Sequence, residues 1–339
     1  MCYLRHMSEP ISKESVLITG ANGFIGSRLC RLFLEQGYHV IAGVRKNSDL
    51  SLLEGLPVER RYGDVTQPST LPAMVSGVDY IIHNAGVVKA RKEETFFAVN
   101  RTGTNSLFET IVAHNPEVKK VIYTSSLAAA GPSIDGKPVS ESDEPHPVTV
   151  YGESKLAGER VALGFRDKLN VVALRPPGVY GPGDREIFSF FQTINSRLKP
   201  YLGDKSRRIQ LVHVDDLCRG FYRAVVSETL SGAVYFICER QSYTFGELVN
   251  QLAEASGKGG VPVYIPGVLF RFIAGVSEFA FKMVGATPML TREKANELLS
   301  SWEVDTGRAA VELRYQSEIP FYKGAEQTFA WYRREGWLS

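Results

Sequence analysis

The sequence predicts an α/β fold, a doubly wound parallel sheet with a smaller C-terminal region partly woven back into it. Two observations carry that prediction. Five apolar, β-branched runs, VLIT (16–19), HVIAGV (39–44), DYIIH (79–83), KVIYTS (120–125) and NVVALR (170–175), alternate with stretches of helical periodicity. Their hydrophobicity is continuous rather than alternating, which suits strands covered on both faces, with the intervening helices as crossovers. Right-handed crossovers then bring the strand ends, and the residues that follow them, to one edge.

Residues 1–14 precede the first run without an apolar core of signal-peptide length, and they are expected to form a loose arm. The first strand opens into LITGANGFIGSRLC (17–30), with Gly20, Gly23 and Gly26 between strand and helix. Gly20 permits a tight turn, Gly23 lets backbone approach a diphosphate, and Gly26 lets helix and strand pack. The helix start, Asn22 with Phe24 and Ile25, offers unpaired N–H groups and a partial positive charge. That context predicts a dinucleotide-binding region over 15–180. The second strand ends at Val44-Arg45-Lys46 with no acid before Asp49. An acid there would bond the ribose of NAD, so Arg45 and Lys46 point to the 2′-phosphate of NADP, with NAD as the alternative. Asp64 and Val65 of YGDV close the third strand, where an adenine edge would lie. Asn84, Ala85 and Gly86 of HNAG close the fourth.

VYGESKLAGE (150–159) places Tyr151 and Lys155 four apart on one helix face. A neighbouring ammonium is expected to lower the phenol's pKa from its usual value of about 10 toward the range of a proton carrier. Beyond residue 180 come GPGD (181–184), a helical EIFSFFQTI, a strand-like RIQLVHV, further helices and an AVYFICE strand. This 181–339 region is expected mainly to cover the substrate. Within it, PGVLFRFIAGVSEFAFKMVGATP (266–288) reads as a helix over 268–284, with Arg271, Gly275, Glu278 and Lys282 on one stripe and four phenylalanines elsewhere. So apolar a helix is expected to be buried, first of all in the core. Pocket roof, subunit interface and membrane surface are the other options.

Composition excludes several classes. Lys plus Arg (39) nearly balances Asp plus Glu (37), giving a net charge of +2, which argues against nucleic acid as a partner. Lys205, Arg207 and Arg208 read as a solvated basic loop. The four cysteines are scattered without CxxC pairs or zinc spacing, so no metal site is expected and a reducing, cytoplasmic setting is. No apolar run reaches the length of a membrane span.

Taken together, GANGFIG, YGDV, HNAG, YTSS, YGESK and RPPGVYGPGD, in that order and spacing, resemble the extended short-chain dehydrogenase/reductases with a Rossmann core. The type is the one grouping NAD-dependent epimerase/dehydratases, 3β-hydroxysteroid dehydrogenases and dihydroflavonol reductases, and the similarity spans about residues 15 to 335. It implies Tyr151, Lys155, Ser126 and Asn100 as the catalytic set. Ser125 would face the cofactor, and Pro176 and Gly178 would shape the backbone beside the nicotinamide. Sugar-nucleotide members commonly read R-x-x-N where this chain has Arg175-Pro176-Pro177-Gly178, which turns the expectation away from a nucleotide sugar, although Arg207 or Arg208 could still meet a phosphate. The expected activity is an NADP-dependent interconversion of a secondary alcohol and a ketone on an apolar or polycyclic small molecule. A nucleotide-sugar epimerase or dehydratase and a non-catalytic NADP-sensing regulator are the alternatives. A homodimer is implied by analogy.

Overall fold

The computed structural model describes residues 14–283 and 290–339; the expected loose arm lies outside the described residues apart from Glu14. Its strands are β1 (Ser15–Thr19), β2 (His39–Val44), β3 (Glu59–Tyr62), β4 (Tyr80–His83), β5 (Lys120–Thr124), β6 (Val171–Arg175), β7 (Gly178–Tyr180), β8 (Leu198–Leu202), β9 (Arg208–Ile209), β10 (Leu211–His213), β11 (Ala233–Phe236), β12 (Tyr243–Thr244) and β13 (Val261–Ile265). A seven-stranded sheet runs β11-β6-β5-β4-β1-β2-β3, every pairing parallel. This is a Rossmann-type α/β fold. The chain winds from β1 toward β3, then restarts at β4 and winds the other way, which leaves a crevice between β1 and β4. Register makes that crevice level: Thr19 pairs with Gly43 and His83, and His83 with Tyr123. The residues just past four strands therefore share one edge.

The helices are α1 (Phe24–Glu35), α2 (Pro72–Val75), α3 (Glu93–Phe97), α4 (Thr104–His114), α5 (Leu127–Ala130), α6 (Val150–Leu163), α7 (Phe188–Asn195), α8 (Val214–Val226), α9 (Phe245–Ala255), α10 (Gly267–Met283), α11 (Arg292–Leu299), α12 (Gly307–Glu312) and α13 (Phe321–Arg334). Leu29 and Phe33 of α1 pack with Leu217 and Phe221 of α8 on one face of the sheet. Met74 of α2, Leu107, Phe108 and Ile111 of α4 and Ala162 of α6 cover the other. Because both faces are buried, the strands could carry uninterrupted aliphatic runs. A third cluster, built on Tyr180, Phe191, Phe245, Phe329 and Tyr332, holds α7, α9 and α13 together beyond the sheet edge.

Three sequence expectations change here. RIQLVHV is two strands rather than one: β9 pairs with β12, β10 with β7, and buried Gln210 between them binds the Glu239 carbonyl and accepts the Val304 N–H. The basic loop is not solvated at Arg207, which is buried, donates to the Leu202 and Asp204 carbonyls, and lies 3.7 Å over the Phe245 ring. The third change concerns α10, expected in the core. Only Phe270, Ala274 and Gly275 of its described side chains are buried, while Val268, Phe272 and Phe279 are 79%, 67% and 69% exposed. Its inward strip is narrow, Phe270 and Ala274 joining the third cluster, while at its margin Arg271 bonds Asn296 of α11 and Glu278 accepts the Arg292 N–H. The side chain of Lys282 lies outside the described residues.

Candidate active site

The glycine turn forms at the crevice. Gly20 has φ +66°, a left-handed value that favours glycine, and its N–H bonds the Gly43 carbonyl. A Cβ on Gly26 would lie 2.2 Å from the Gly20 carbonyl oxygen, so helix α1 seats directly on the turn. Gly23, exposed, precedes α1 without any side-chain cap, which leaves the first N–H groups of the helix, at Phe24 and Ile25, facing outward. Asn22 Nδ2 donates to the Asp49 carbonyl and folds the 45–49 segment beside the turn, with Arg45 and Lys46 both exposed. On the other side of the crevice the backbone at Asn84 and Ala85 touches Gly20, and the Ala85 N–H donates to Thr19 Oγ1. Asp64 caps its own turn by accepting from Thr66, and Val65 is buried against Gly103.

The next edge positions hold the remaining candidates. Ser125 and Thr124, just past and at the end of β5, have buried hydroxyls without a hydrogen-bond partner among the described residues. Ser126 caps α5, its Oγ accepting the Ala128 N–H at 3.1 Å, and its hydroxyl lies close enough to the Tyr151 phenol to influence its ionisation. What brings the two together is Gly152: a Cβ there would be 2.4 Å from the Ala128 carbonyl oxygen, so α6 sits hard against α5. Gly158 repeats the device six residues later, where a Cβ would lie 2.1 Å from the Asn100 carbonyl oxygen. Asn100 is buried in a π-helical turn over 98–103, a widened backbone often found at functional sites. It is not an N-cap. Its Oδ1 accepts the Val87 N–H at 2.9 Å, and its Nδ2 donates to the Val87 carbonyl and to Ser154 Oγ, each at 3.0 Å. Asn100 thus clamps the loop after β4 to α6.

Lys155 is buried on the same helix, donates to the Thr124 carbonyl and lies 4.6 Å over the Tyr123 ring. Burial lowers its pKa to about 8, partly countered by Glu159. The Tyr151 phenol moves the opposite way from the sequence expectation. Burial lifts it to about 12, the Ser126 hydroxyl pulls it down, and the carboxylates of Glu297 and Glu186 push it up. The helical spacing correctly puts phenol and ammonium on one face, but the ammonium turns to the Thr124 carbonyl. At neutral pH the phenol holds its proton.

Several neighbours carry no signal in the sequence. Buried His83 bridges Thr19 Oγ1 (2.9 Å) and Thr104 Oγ1 (3.1 Å), and Thr104 donates on to the Asn100 carbonyl. Burial lowers the His83 pKa to about 3, so the ring is a neutral strut between β1, β4 and the Asn100 turn. Glu293 of α11 accepts the Val150 N–H beside Tyr151, and the Phe96 ring lies 6.3 Å from that of Tyr151. Arg175 is held in a bidentate buried pair with Glu159 and does not reach the cleft. Pro176 accepts the Leu127 N–H, while Gly178 is exposed at the start of β7. Arg207 cannot meet a phosphate from its buried position, and Arg208 is held by Glu303 and the Ser242 carbonyl.

These groups fit a nicotinamide dinucleotide. The uncapped N–H groups of α1 suit a diphosphate, the exposed pair Arg45 and Lys46 a second phosphate, and the orphaned Ser125 and Thr124 hydroxyls a polar ring or ribose.

Residues 16–238 match the NAD dependent epimerase/dehydratase family. Among characterised relatives, the ceramide reductase of Caulobacter vibrioides is 30% identical over 328 residues, covering 95% of this chain and 96% of that protein. The 3 beta-hydroxysteroid dehydrogenase/Delta 5-->4-isomerase of Mycobacterium tuberculosis is 29% identical over 298 residues, covering 81% and 78%. The crystal structure of gox2253 superposes with a TM-score of 0.82 at 26% identity, covering 96% of this chain and all of that one.

Proposed function

Because the chain belongs to the NAD-dependent epimerase/dehydratase family and is an NAD(P)-dependent enzyme of the extended short-chain dehydrogenase/reductase type, we propose that it is an NADP-dependent reductase that interconverts a ketone and a secondary alcohol on an apolar or polycyclic small molecule. The observation that carries this reading is that Ser126 follows β5 and α6 brings Tyr151 beside it and the buried Lys155 ammonium onto the Thr124 carbonyl, at the sheet edge that also bears the glycine turn.

The roles follow from the chemistry of each group. The turn at Gly20–Gly26, the α1 N–H groups, Arg45, Lys46, Ser125 and the 84–86 backbone would hold the cofactor, whose chemistry when bound is hydride exchange. Ser126 holds the substrate oxygen. Tyr151, protonated at neutral pH, donates its proton to that oxygen as negative charge develops, or recovers it in the reverse direction. Lys155, with its pKa near 8 and its ammonium on the Thr124 carbonyl one helical turn from Tyr151, would supply the cation that favours the phenolate left behind. Asn100 positions α6 and the post-β4 loop rather than touching the reacting atoms. Residues 15–180 serve the cofactor and 181–339, apart from β11, the substrate, in a reducing cytoplasmic setting.

An apolar substrate is favoured by what the cleft lacks: Gly178 offers no side chain where an asparagine would bind a nucleotide, and Arg207 and Arg208 are engaged elsewhere. Two relatives bear the names of enzymes of ceramide and of 3β-hydroxysteroids. The test is cofactor stoichiometry. Lipophilic ketones should oxidise one NADPH per alcohol formed. Turnover of UDP-sugars alone, with cofactor needed only in catalytic amount, would replace this reading with an epimerase.

A further inference from the structure

Helix α10 seats only a narrow strip, Phe270 and Ala274, in the core of its own protein. Arg271, Gly275 and Glu278 face α11, where Arg271 bonds Asn296, Glu278 accepts the Arg292 N–H, and a Cβ at Gly275 would strike the Arg292 guanidinium. The opposite face presents Leu269, Phe272, Ile273, Val276 and Phe279, all exposed, and the preceding edge strand β13 adds Tyr264 at 62% exposure. A contiguous apolar surface of this kind marks an interaction site.

Charge says what covers it. Cations lie beside the apolar face: Arg197 is exposed where its carbonyl accepts the Val261 N–H at the start of β13, and Lys205 sits 5.8 Å over the Tyr264 ring. Between α10 and α11 a cavity of about 300 Å³ is lined by Arg271, Phe272, Arg292 and Asn296, with two guanidiniums at its wall. The acid of the helix, Glu278, is engaged by the Arg292 N–H. An apolar face with aromatic residues and a basic rim matches the interface of an anionic bilayer. No helix among the described residues is long and apolar enough to cross one.

We propose that α10 and β13 dock this protein onto an anionic phospholipid surface, with the cavity between Arg271 and Arg292 taking a lipid phosphate. This deepens the proposed function and rests on it for its purpose: α11, packed on α10, reaches the catalytic end of the cleft through Glu293 and the Val150 N–H, so docking sets the substrate entrance against the bilayer that dissolves a lipophilic ketone.

The experiment is sedimentation of the full chain with vesicles of phosphatidylcholine alone and of phosphatidylcholine with phosphatidylglycerol. Wild type should sediment with the anionic vesicles at least about tenfold more strongly than with neutral ones. The doubly substituted Phe272→Asp, Phe279→Asp chain should stay in solution with unchanged NADPH affinity and thermal midpoint. Arg271→Ala, which leaves the apolar face intact, should lose mainly the preference for phosphatidylglycerol. Wild type that ignores both vesicles, or a wild-type dimer that the aspartates convert to monomer, overturns the proposal, the second by assigning the face to another copy of the chain. Sedimentation involves no turnover, so its failure leaves the reductase reading standing, and failure of ketone reduction leaves the docking result standing.

Discussion

Replacing Gly26 by alanine would put a methyl 2.2 Å from the Gly20 carbonyl oxygen and 2.8 Å from Ala21 Cα. Ordinary carbon contacts lie at roughly 3.5 Å, so helix and turn would have to separate by about 1 Å. Both obstructing atoms are backbone, and no rotamer can relieve them. Overpacking of that kind costs about 1–3 kcal/mol of stability. The larger effect falls on the cofactor, because the α1 N–H groups move with the helix. Hydrogen bonds to a charged group are worth about 1.5–3 kcal/mol each, so misplacing two of them weakens the dinucleotide by roughly a hundredfold or more. NADPH fluorescence titration reads the affinity and thermal unfolding reads the fold. The control is Gly55→Ala, where a positive φ (+73°) disfavours alanine but a Cβ meets nothing within 4 Å, and it should cost stability without touching cofactor affinity. A folded Gly26→Ala chain that binds NADPH as wild type does would refute the placement of the diphosphate at this turn.

Arg45→Ala should weaken NADPH by roughly tenfold or more while leaving NADH unchanged, since one charge-assisted bond to phosphate is removed; equal loss for both cofactors would contradict the 2′-phosphate role. His83 gives a pH signature in stability. Between about 3 and the unfolded value of 6.5 the unfolded chain takes up a proton that the buried ring refuses, so stability falls as pH falls through that window. From pH 6.5 to 5 this amounts to about 2 kcal/mol, and urea unfolding should show wild type losing that much more than His83→Gln between pH 7.5 and 5. A difference independent of pH would mean that the ring charges in the folded state.

The strands and the glycine turn were legible because both signals are local. A parallel sheet buried on both faces demands unbroken aliphatic runs, and a strand-turn-helix around Gly20, Gly23 and Gly26 has few other uses. Tyr151 and Lys155 were legible as sharing a face, but the direction of the phenol's pKa was not. It depends on the depth of burial, on Ser126 from another element, and on where the ammonium turns, none of which helical spacing encodes. His83, Glu293 and the clamp at Asn100 escaped for the same reason, since their partners lie far off in the chain: Glu293 reaches Val150, and Thr19 reaches His83. The basic run at 205–208 misled because composition cannot distinguish a solvated arginine from one stacked on Phe245 and bonded to carbonyls. Helix α10 misled most. Apolar periodicity says that a face needs covering, and the sequence alone does not say whether the protein itself does the covering.

The most direct test of the central claim is Tyr151→Phe, assayed for ketone-dependent NADPH oxidation and, separately, for NADPH binding. Removal of the one hydroxyl that carries the proton should cut turnover roughly 10²–10⁴-fold with cofactor affinity intact. Turnover that survives the substitution would contradict the account, because no phenolic proton would then be moving at the edge of this sheet.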